Sequence, residues 1–200
     1  MDGTADMSKR EENMAKWFTQ AIKDPAARVL VVRDENSGYI ISYAQWELPK
    51  DKNEVPSALP ETEEEKAKIR ENRAARVRSG QNGPLLQEWW SNLDVLQTTF
   101  GTEPLYYLNA LKTIPSHRGK GLASQLVRRL IDEADEKGMR VGLYTNGDGK
   151  AKLLYERLGF VEAGRFEIKL GDFGGEGRHL ELSMIRNPTT EGGNEVKNVK

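Results

Sequence analysis

The chain contains no cysteine and only two histidines among its 200 residues. The absence of cysteine excludes disulfides and thiolate metal sites, and two histidines are too few for a histidine-rich metal centre. No apolar run approaches the roughly twenty residues that a membrane-spanning helix requires, and the first residues lack the apolar core of a signal peptide. The formal charge of −1 provides no long-range attraction to nucleic acid or to a membrane surface. We therefore predict a cytoplasmic protein, with the nucleus as the alternative, that binds no metal, no nucleic acid and no membrane.

The remaining composition is that of one domain of ordinary size with its own core. We place this domain at residues 11–186 and predict disordered polar tails at 1–10 and 187–200. A monomer and a homodimer both fit the sequence. Outside the central stretch described next, the apolar patterns predict helices at 11–23 and 85–100 and strands at 28–33, 39–48, 160–170 and 179–185.

The most informative stretch runs from Leu105 to Ala134. Residues 105–111 form an apolar run typical of a strand, and the leucines that follow recur at the spacing of an amphipathic helix. The turn between them, residues 115–121, is short and basic and contains two glycines. At a helix start the first N–H groups have no partner within the helix and the macrodipole is positive. This turn therefore has the chemistry of an anion-binding site.

The spacing within the turn excludes two common phosphate-binding motifs. A dinucleotide fingerprint requires a third glycine at position 124, which is serine, and the spacer and ending of a P-loop are missing. The pattern that is present, Arg118-x-x-Gly121-x-Ala123, resembles the acetyl-CoA pyrophosphate loop of the GCN5-related N-acetyltransferase superfamily. Residues 153–160, Leu-Leu-Tyr-Glu-Arg-Leu-Gly-Phe, resemble its Leu-Tyr-x-x-x-Gly-Phe signature. They lie on a predicted helix, 150–158, that follows a predicted strand at 139–145. Over the whole domain the chain resembles uncharacterised fungal-type members most.

The resemblance implies an α+β fold, a mixed sheet flanked by helices, which is the acyl-CoA N-acyltransferase fold. Members normally begin with a strand and a helix that have no counterpart before Glu11, so we expect the first strand to be shortened or missing. Residues 49–84 depart from the compact superfamily core as a charged insertion. Within it, residues 61–78 predict a charged helix, which we interpret as solvated or mobile, the alternative being a lid over the acceptor pocket. We also expect the glycine-rich loop 171–177 to be mobile.

The resemblance also implies acetyl-CoA as the co-substrate. The backbone groups of Leu111, Lys112 and Thr113 would bind the pantetheine arm. The amides of the loop and helix start would hold the pyrophosphate: Arg118, Gly119, Lys120, Gly121, Leu122, Ala123 and Ser124. Near the start of the helix predicted at 150–158, Ala151 matches the alanine that the family carries. Asp148 stands where the family usually has an asparagine whose side chain contacts the pantetheine arm. Asn146 is therefore the candidate to make that contact instead.

The family mechanism is direct attack of a primary amine on the thioester, without an acyl-enzyme. Tyr155 occupies the position of the general acid, and a phenol with a pKa of roughly 10 is protonated at neutral pH. The alternative is that its ring only packs. Glu47, Glu103 and Glu181 are candidates for the general base, but each is also typical of a solvated carboxylate. None is assigned. His117 in the loop is expected to be exposed and His179 to be structural.

We therefore predict an N-acetyltransferase that acts on the primary amine of a small molecule. Two alternatives stay open: a protein lysine or N-terminus as the acceptor, and a non-catalytic acyl-CoA-binding sensor. The tryptophans at positions 89 and 90 are predicted to pack in the core, although one of them could line the acceptor site.

Overall fold

A computed structural model describes residues 15–16, 18–49, 62–78 and 80–189. The elements in chain order are β1 (Ala27–Arg33), β2 (Ile40–Glu47), α1 (Glu63–Ala74), α2 (Gly83–Gln97), β3 (Leu105–Thr113), α3 (Leu122–Glu136), β4 (Arg140–Asn146), α4 (Lys150–Arg157), β5 (Val161–Lys169) and β6 (Arg178–Arg186). A further helical segment covers residues 18–23, and single 3₁₀ turns occur at Thr98–Phe100, Pro115–His117 and Leu170–Phe173.

The strand order is β1-β2-β3-β4-β6-β5, and the prediction of a mixed sheet flanked by helices is confirmed. No strand precedes β1 among the described residues, and the predicted N-terminal tail lies outside them. By their contacts the described residues divide into two compact units. The first unit contains 15–49, 105–139 and 188–189, and the second contains 62–104 and 140–187.

The first unit is a three-stranded antiparallel sheet, β1-β2-β3, packed against α3. The face of α3 towards the sheet is apolar, as its spacing predicts, and buries Leu126, Val127, Leu130, Ile131 and Ala134. Near its end, α3 is tied to β3 by the Tyr106 hydroxyl, which donates to Glu133 Oε1 (3.0 Å) and accepts from Lys137 Nζ (2.7 Å). This packing sets the position of the turn that joins β3 to α3.

The other face of this sheet is contacted by the helical segment 18–23. The ring of Phe18 lies edge-on to the ring of Tyr43, with 4.7 Å between the ring centroids. Position 17, one of the tryptophans, lies outside the described residues. The two faces of β2 therefore differ. Ala44 and Trp46 lie on the face that is turned towards α3. Tyr43, Gln45 and Glu47 lie on the opposite face.

The second unit contains the antiparallel strands β4-β6-β5 with α1, α2 and α4. The 3₁₀ turn after α2 approaches β5 closely at Gly164, where a Cβ atom would lie 2.7 Å from Thr99 Cγ2. The Thr99 and Ser183 hydroxyls are 2.8 Å apart, which ties the same turn to β6. Only a residue without a side chain fits position 164, so glycine there permits this packing.

The described part of the insertion is docked on α2. Helix α1 begins with a capping box between Thr62 and Glu65 and has no buried residue, which agrees with a solvated helix. However, Arg73 makes a bidentate ion pair with Asp94 of α2 (2.8 and 2.6 Å) and lies over the Trp90 ring. The charged helix is therefore attached to α2 at its last turn, which contains Arg73. Residues 50–61 and 79 of the insertion lie outside the described residues.

One local prediction is wrong. The tryptophans at 89 and 90 are half-buried, and Leu96 is the only buried residue of α2, so the tryptophans do not pack in the core. The glycine-rich loop 171–177 forms a hydrogen-bonded turn, in which Gly175 N donates to Leu170 O (2.9 Å) and Leu170 N donates to Gly177 O (3.0 Å). At the other end, Thr189 donates to Asp135 of α3, so residues 188–189 pack on the first unit, whereas 190–200 lie outside the described residues.

Candidate cofactor and acceptor sites

The turn between β3 and α3 is folded back on the end of the strand. His117 N donates to Ile114 O (3.0 Å) and Arg118 N donates to Pro115 O (3.3 Å), which closes the short 3₁₀ turn. The Arg118 side chain then reaches back, and its Nε donates to Thr113 O at 3.1 Å. The loop that leads into α3 is therefore a defined structure that starts from the strand.

The two glycines of this loop are required for their backbone conformation. Gly119 has a φ of 77° and Gly121 a φ of 79°, both in the left-handed region that L side chains rarely adopt. A Cβ atom at either position would meet nothing within 4 Å. The space above both residues is open, so the constraint is the turn itself, and the open side is available to a ligand.

Six consecutive amides in this turn have no hydrogen-bond acceptor in the part of the chain that the structure describes. The first backbone bond of α3 runs from Gln125 N to Gly121 O (3.0 Å), and Gly121 caps the helix without a side-chain hydrogen bond. Among the described residues, none accepts a hydrogen bond from the N–H groups of Gly119 through Ser124. These donors lie at the positive end of a helix of 15 residues. The side chains of Arg118 and Lys120 add positive charge, so the turn has the electrostatics of a phosphate-binding site.

The backbone N–H and C=O groups of β3 before the loop point alternately to the two edges of the strand. Ile114 N donates to Ile41 O (3.0 Å) next to β2, and backbone groups of successive strand residues point to opposite edges. The backbone groups of Leu111 and Thr113 therefore point away from β2, and those of Lys112 point towards it. Of the three residues predicted to bind pantetheine, two have backbone groups directed to the edge of β3 that β2 does not cover.

In the second unit, Asn146 ends β4 and shapes the turn before α4. Its Oδ1 accepts from Asp148 N (2.9 Å) and its backbone oxygen accepts from Gly149 N (3.2 Å). The side-chain oxygen of Asn146 is thus used by the turn, which leaves its NH₂ group as the donor for a ligand. Asp148 lies 3.5 Å from Arg178 across the surface, and Ala151 is exposed on the first turn of α4.

Tyr155 on α4 is buried, with 6% of its surface exposed. Its ring packs edge-on against Phe160, with 5.7 Å between the ring centroids, and the catalytic role of its hydroxyl stays a prediction. Burial raises the pKa of the Tyr155 phenol to about 12. No described residue hydrogen-bonds to its hydroxyl group. The ring is therefore fixed by packing, while the hydroxyl can donate to a ligand.

The candidate bases have different surroundings. Glu181 is buried (7% exposed), and its Oε2 lies 2.7 Å from His179 Nε2, so both belong to one pair. Glu47 Oε1 accepts from Asn109 Nδ2 at 3.2 Å. Glu103, in the connection before β3, is exposed and its backbone oxygen accepts from Arg140 (3.3 Å).

The loop histidine is less exposed than expected. His117 Nδ1 lies 3.0 Å from Ser116 Oγ, its Nε2 is 4.0 Å from Asp34 Oδ2, and its side chain is only 25% exposed. Hydrogen bonds from Ser37, and then the nearby His117, lower the pKa of the Asp34 carboxyl. His117 thus links the anion-binding loop to the turn after β1.

Two features were not found by sequence reasoning. Gln45 is buried in the middle of β2, and its Oε1 has no hydrogen-bond partner among the described residues. The pairing of β2 with β3 also shifts by one residue, because Gln45 lies opposite Ala110 and Trp46 opposite Leu108, which makes Asn109 a bulge. The alternation Tyr43-x-Gln45-x-Glu47 in a strand is the sequence signal that indicates a polar face.

A third missed group lies in the second unit. Burial, and then the carboxylates of Asp94 and Glu181, raise the pKa of the Tyr144 phenol well above its usual range.

In the described part of the chain, no three acidic or histidine side chains are arranged to hold a metal ion. None of the described helices is long and apolar enough to cross a membrane.

Comparison with known proteins agrees with this geometry. Residues 93–167, from the end of α2 to β5, match the family model described as FR47-like protein. The fold is similar to that of arylalkylamine N-acetyltransferase 2 from Aedes aegypti, with 16% identity, a TM-score of 0.56, and coverage of 89% of this chain and 80% of that one. It is also similar to Naa20 from Chaetomium thermophilum, solved with a bisubstrate analogue, with 16% identity, a TM-score of 0.51, and coverage of 87% and 72%.

A third similar structure is the mosquito arylalkylamine N-acetyltransferase like 5b, with 19% identity, a TM-score of 0.51, and coverage of 80% of this chain and 74% of that one. None of the curated proteins compared with this chain matches its sequence. The acyl-CoA N-acyltransferase fold and the resemblance to the GCN5-related superfamily are confirmed. The similarity to fungal-type members stays a prediction.

Proposed function

Because the chain has the fold of the GCN5-related N-acetyltransferases and its cofactor segment matches the FR47-like family, we propose that it is an acetyl-CoA-dependent N-acetyltransferase. We propose the primary amine of a small molecule as the acceptor. The observation that carries this proposal is the set of unpartnered amides from Gly119 to Ser124 at the start of α3. A diphosphate offers several acceptor oxygens and negative charge to one short segment, which is what these six donors require.

The remaining parts of the cofactor are assigned to backbone groups of the first unit. The backbone groups of Leu111 and Thr113, on the edge of β3 that faces away from β2, are suited to the amide groups of the pantetheine arm, because an extended amide chain can pair with the backbone of a strand. The backbone groups of Lys112 already point towards β2, so its contribution is the weakest of the three. In the second unit, the NH₂ group of Asn146 and the exposed Ala151 remain candidates for contact with the same arm.

The reaction requires the amine nitrogen to attack the thioester carbonyl carbon and the C–S bond to break. The electron pair of that bond stays on sulfur, which then takes a proton from Tyr155. Burial raises the pKa of Tyr155 to about 12, so the phenol is protonated when the thiolate forms. The proton that the amine releases then restores the Tyr155 phenol. The products are the N-acetyl amine and the free thiol of CoA.

Thiol release from acetyl-CoA tests this proposal across a panel of acceptors. The panel contains small primary amines, a lysine-containing peptide and a peptide with a free N-terminus. We expect turnover with small amines at a kcat/KM at least tenfold above that with either peptide. Faster turnover with a peptide would assign a protein acceptor, and acetyl-CoA binding without turnover of any acceptor would support the sensor alternative.

A further inference from the structure

We propose that strand β1 is the interface of a symmetric homodimer, in which it pairs antiparallel with β1 of a second copy of this chain and Val31 lies opposite the partner's Val31. The inference goes beyond the proposed function, because it assigns an interaction surface and its partner. None of the residues that carry it is predicted to bind the cofactor.

The two end strands of the sheet differ in their protection against pairing with another chain. β1 and β5 come first and last in the strand order. β5 carries charges along its length, among them the ion pair of Glu162 with Arg165, and its pairing with β6 is interrupted at Ala163. Charged side chains and bulges are the means by which proteins keep an edge strand from pairing. β1 instead has four consecutive aliphatic residues, 29–32, between its two arginines.

The backbone groups of β1 point alternately towards β2 and away from it. Leu48 N donates to Ala26 O (2.8 Å), and this bond fixes the alternation along the strand. The N–H and C=O groups of Val29, Val31 and Arg33 therefore point away from β2. Among the described residues, none hydrogen-bonds to these groups on that side. The outer edge of β1 thus offers three donors and three acceptors to another strand.

This alternation limits how two copies of β1 can pair. In an antiparallel pair, residues whose backbone groups point to the shared edge lie opposite each other. Val31 can therefore lie opposite the partner's Val31 but not opposite the partner's Leu30. With the two-fold axis at Val31, Arg28 lies opposite the partner's Asp34, and the same pair repeats on the other side of the axis.

The charges select this register. Opposite charges directly across two strands stabilise their pairing. Arg28 is exposed, and the Asp34 side chain is 28% exposed, so both are accessible to a partner. The smallest shift that the backbone allows is two residues, and it places Arg28 opposite the partner's Val32 or the partner's Asn36. Only the register centred on Val31 satisfies the backbone groups and also pairs the charges.

The same register covers an exposed apolar side chain. Val31 is 39% exposed, although it lies in the middle of a strand. Cα atoms of opposed residues that share two hydrogen bonds lie about 5.5 Å apart, and their side chains are on the same face. The two valines at the axis therefore pack against each other and remove apolar surface from water.

Introduced cysteines test the register, because the chain has no cysteine of its own. At position 31 the two Cα atoms would be about 5.5 Å apart, within the range that a disulfide spans. Position 29 lies opposite position 33, so two copies of either residue are about 13 Å apart. On mild oxidation, we expect Val31→Cys to form a disulfide-linked dimer in non-reducing gel electrophoresis. Val29→Cys and Arg33→Cys should not.

Size-exclusion chromatography with light scattering tests the dimer itself in four full-length chains: wild type, Val31→Lys, Arg28→Glu and Val161→Lys. Val31→Lys places two like charges at the axis, and Arg28→Glu places a glutamate opposite the partner's Asp34. Val161→Lys is the matched control, because Val161 is 59% exposed and lies on the other end strand, β5. We expect wild type and the control to have twice the mass of one chain. Both β1 variants should dissociate at least tenfold more readily on dilution.

Circular dichroism and the urea midpoint show whether each variant is folded. The Val31 N–H points away from β2, so Val31→Lys leaves the hydrogen bonds between β1 and β2 in place. If it does not fold, Arg28→Glu and the three cysteine variants decide. A monomeric wild type at submillimolar concentration would overturn the inference. A dimer that is equally stable in both β1 variants, or equal cross-linking of all three cysteine variants, would also overturn it.

The proposed function stands or fails separately. None of these measurements uses acetyl-CoA or an amine, so a monomeric chain that releases thiol would keep the acetyltransferase proposal and overturn the dimer alone. A chain that dimerises through β1 without turnover of any amine would have the opposite meaning.

Discussion

Tyr155 shows how one residue can meet two requirements that usually conflict. Its ring is buried against Phe160, which fixes its orientation, yet its hydroxyl is not used by any described residue. Burial raises the pKa of the phenol to about 12, so it stays protonated in the range where enzymes work. The packing and the catalytic interpretations are therefore compatible, because they concern different atoms of the side chain.

Replacing Tyr155 with phenylalanine should reduce kcat by roughly 100-fold, since general acids typically contribute at least this much. The Kd for CoA should change less than twofold, because the ring still packs. Steady-state kinetics and calorimetric titration measure the two effects. Tyr39→Phe is the matched control because Tyr39 is 76% exposed in a turn. Parallel losses of kcat and CoA affinity would contradict the role of Tyr155 as the acid.

The raised pKa of Tyr155 also predicts how stability depends on pH. The folded state keeps the proton up to about pH 12, whereas the unfolded chain loses it near pH 10. The stabilisation is therefore fully present below pH 10 and is lost as the pH rises towards 12. The difference in unfolding free energy between wild type and Tyr155→Phe should fall by about 1 kcal/mol from pH 9 to pH 11. Urea titrations at both values measure it, and a constant difference would show that the phenol is not desolvated.

At the scale of elements, the start of α3 depends on a backbone conformation rather than on space. Gly121 has a φ of 79° with nothing within 4 Å of a Cβ position. A side chain there costs about 1 kcal/mol of strain but meets no clash. Its effect on ligand binding can therefore be separated from its effect on stability.

Gly121→Glu should abolish CoA binding, because it places a negative charge beside the unpartnered amides. Gly174→Glu is the matched control: Gly174 has the same φ of 79° and no atom within 4 Å of its Cβ position, but lies in the glycine-rich loop. Both variants should lose similar stability in urea, and only Gly121→Glu should lose CoA affinity in calorimetric titration. Retained affinity in Gly121→Glu would show that the diphosphate binds elsewhere.

The docking of α1 on α2 is a second property of elements. The Arg73 and Asp94 side chains are 19% and 28% exposed and meet through two hydrogen bonds. A double-mutant cycle with Arg73→Met and Asp94→Asn should give a coupling energy of about 1–2 kcal/mol in urea unfolding. Arg73→Lys should recover less than half of it, since lysine cannot make the bidentate pair. A coupling near zero would mean that α1 does not depend on this ion pair.

At the scale of the whole molecule, each unit carries some of the residues that the sequence predicts to function. The first unit contains the anion-binding turn, and the second contains Asn146 and Tyr155. A ligand that binds only the folded chain stabilises it by mass action, whichever residues it contacts. Ligand-dependent stability is therefore a test that assumes no particular pose.

Acetyl-CoA at 100 times its Kd should stabilise the chain by about 2.7 kcal/mol, which raises Tm by roughly 5–10 °C for a chain of this size. Differential scanning fluorimetry measures the shift. Gly121→Glu should show no shift at the same concentration. An equal shift in the variant would contradict the assignment of the turn as the diphosphate site.

The sequence by itself determined the features that depend on neighbouring residues. Leucines at every fourth residue predicted α3, and Gly119 and Gly121 predicted the turn before it. Both predictions were possible because helix periodicity and a left-handed backbone are local properties. The order of strands and helices followed from the same patterns with boundaries shifted by one to three residues at most elements.

Only the tertiary structure decided the features that join distant parts of the chain. Gln45 and Asn109 are 64 positions apart, and their relation follows from the pairing register of β2 with β3. The burial of Gln45, the bulge at Asn109 and the ion pair between Arg73 and Asp94 have no local signature, because each depends on which surfaces meet. An acceptor site is built from such meetings, and for that reason the sequence predicted residues for a donor site but none for an acceptor site.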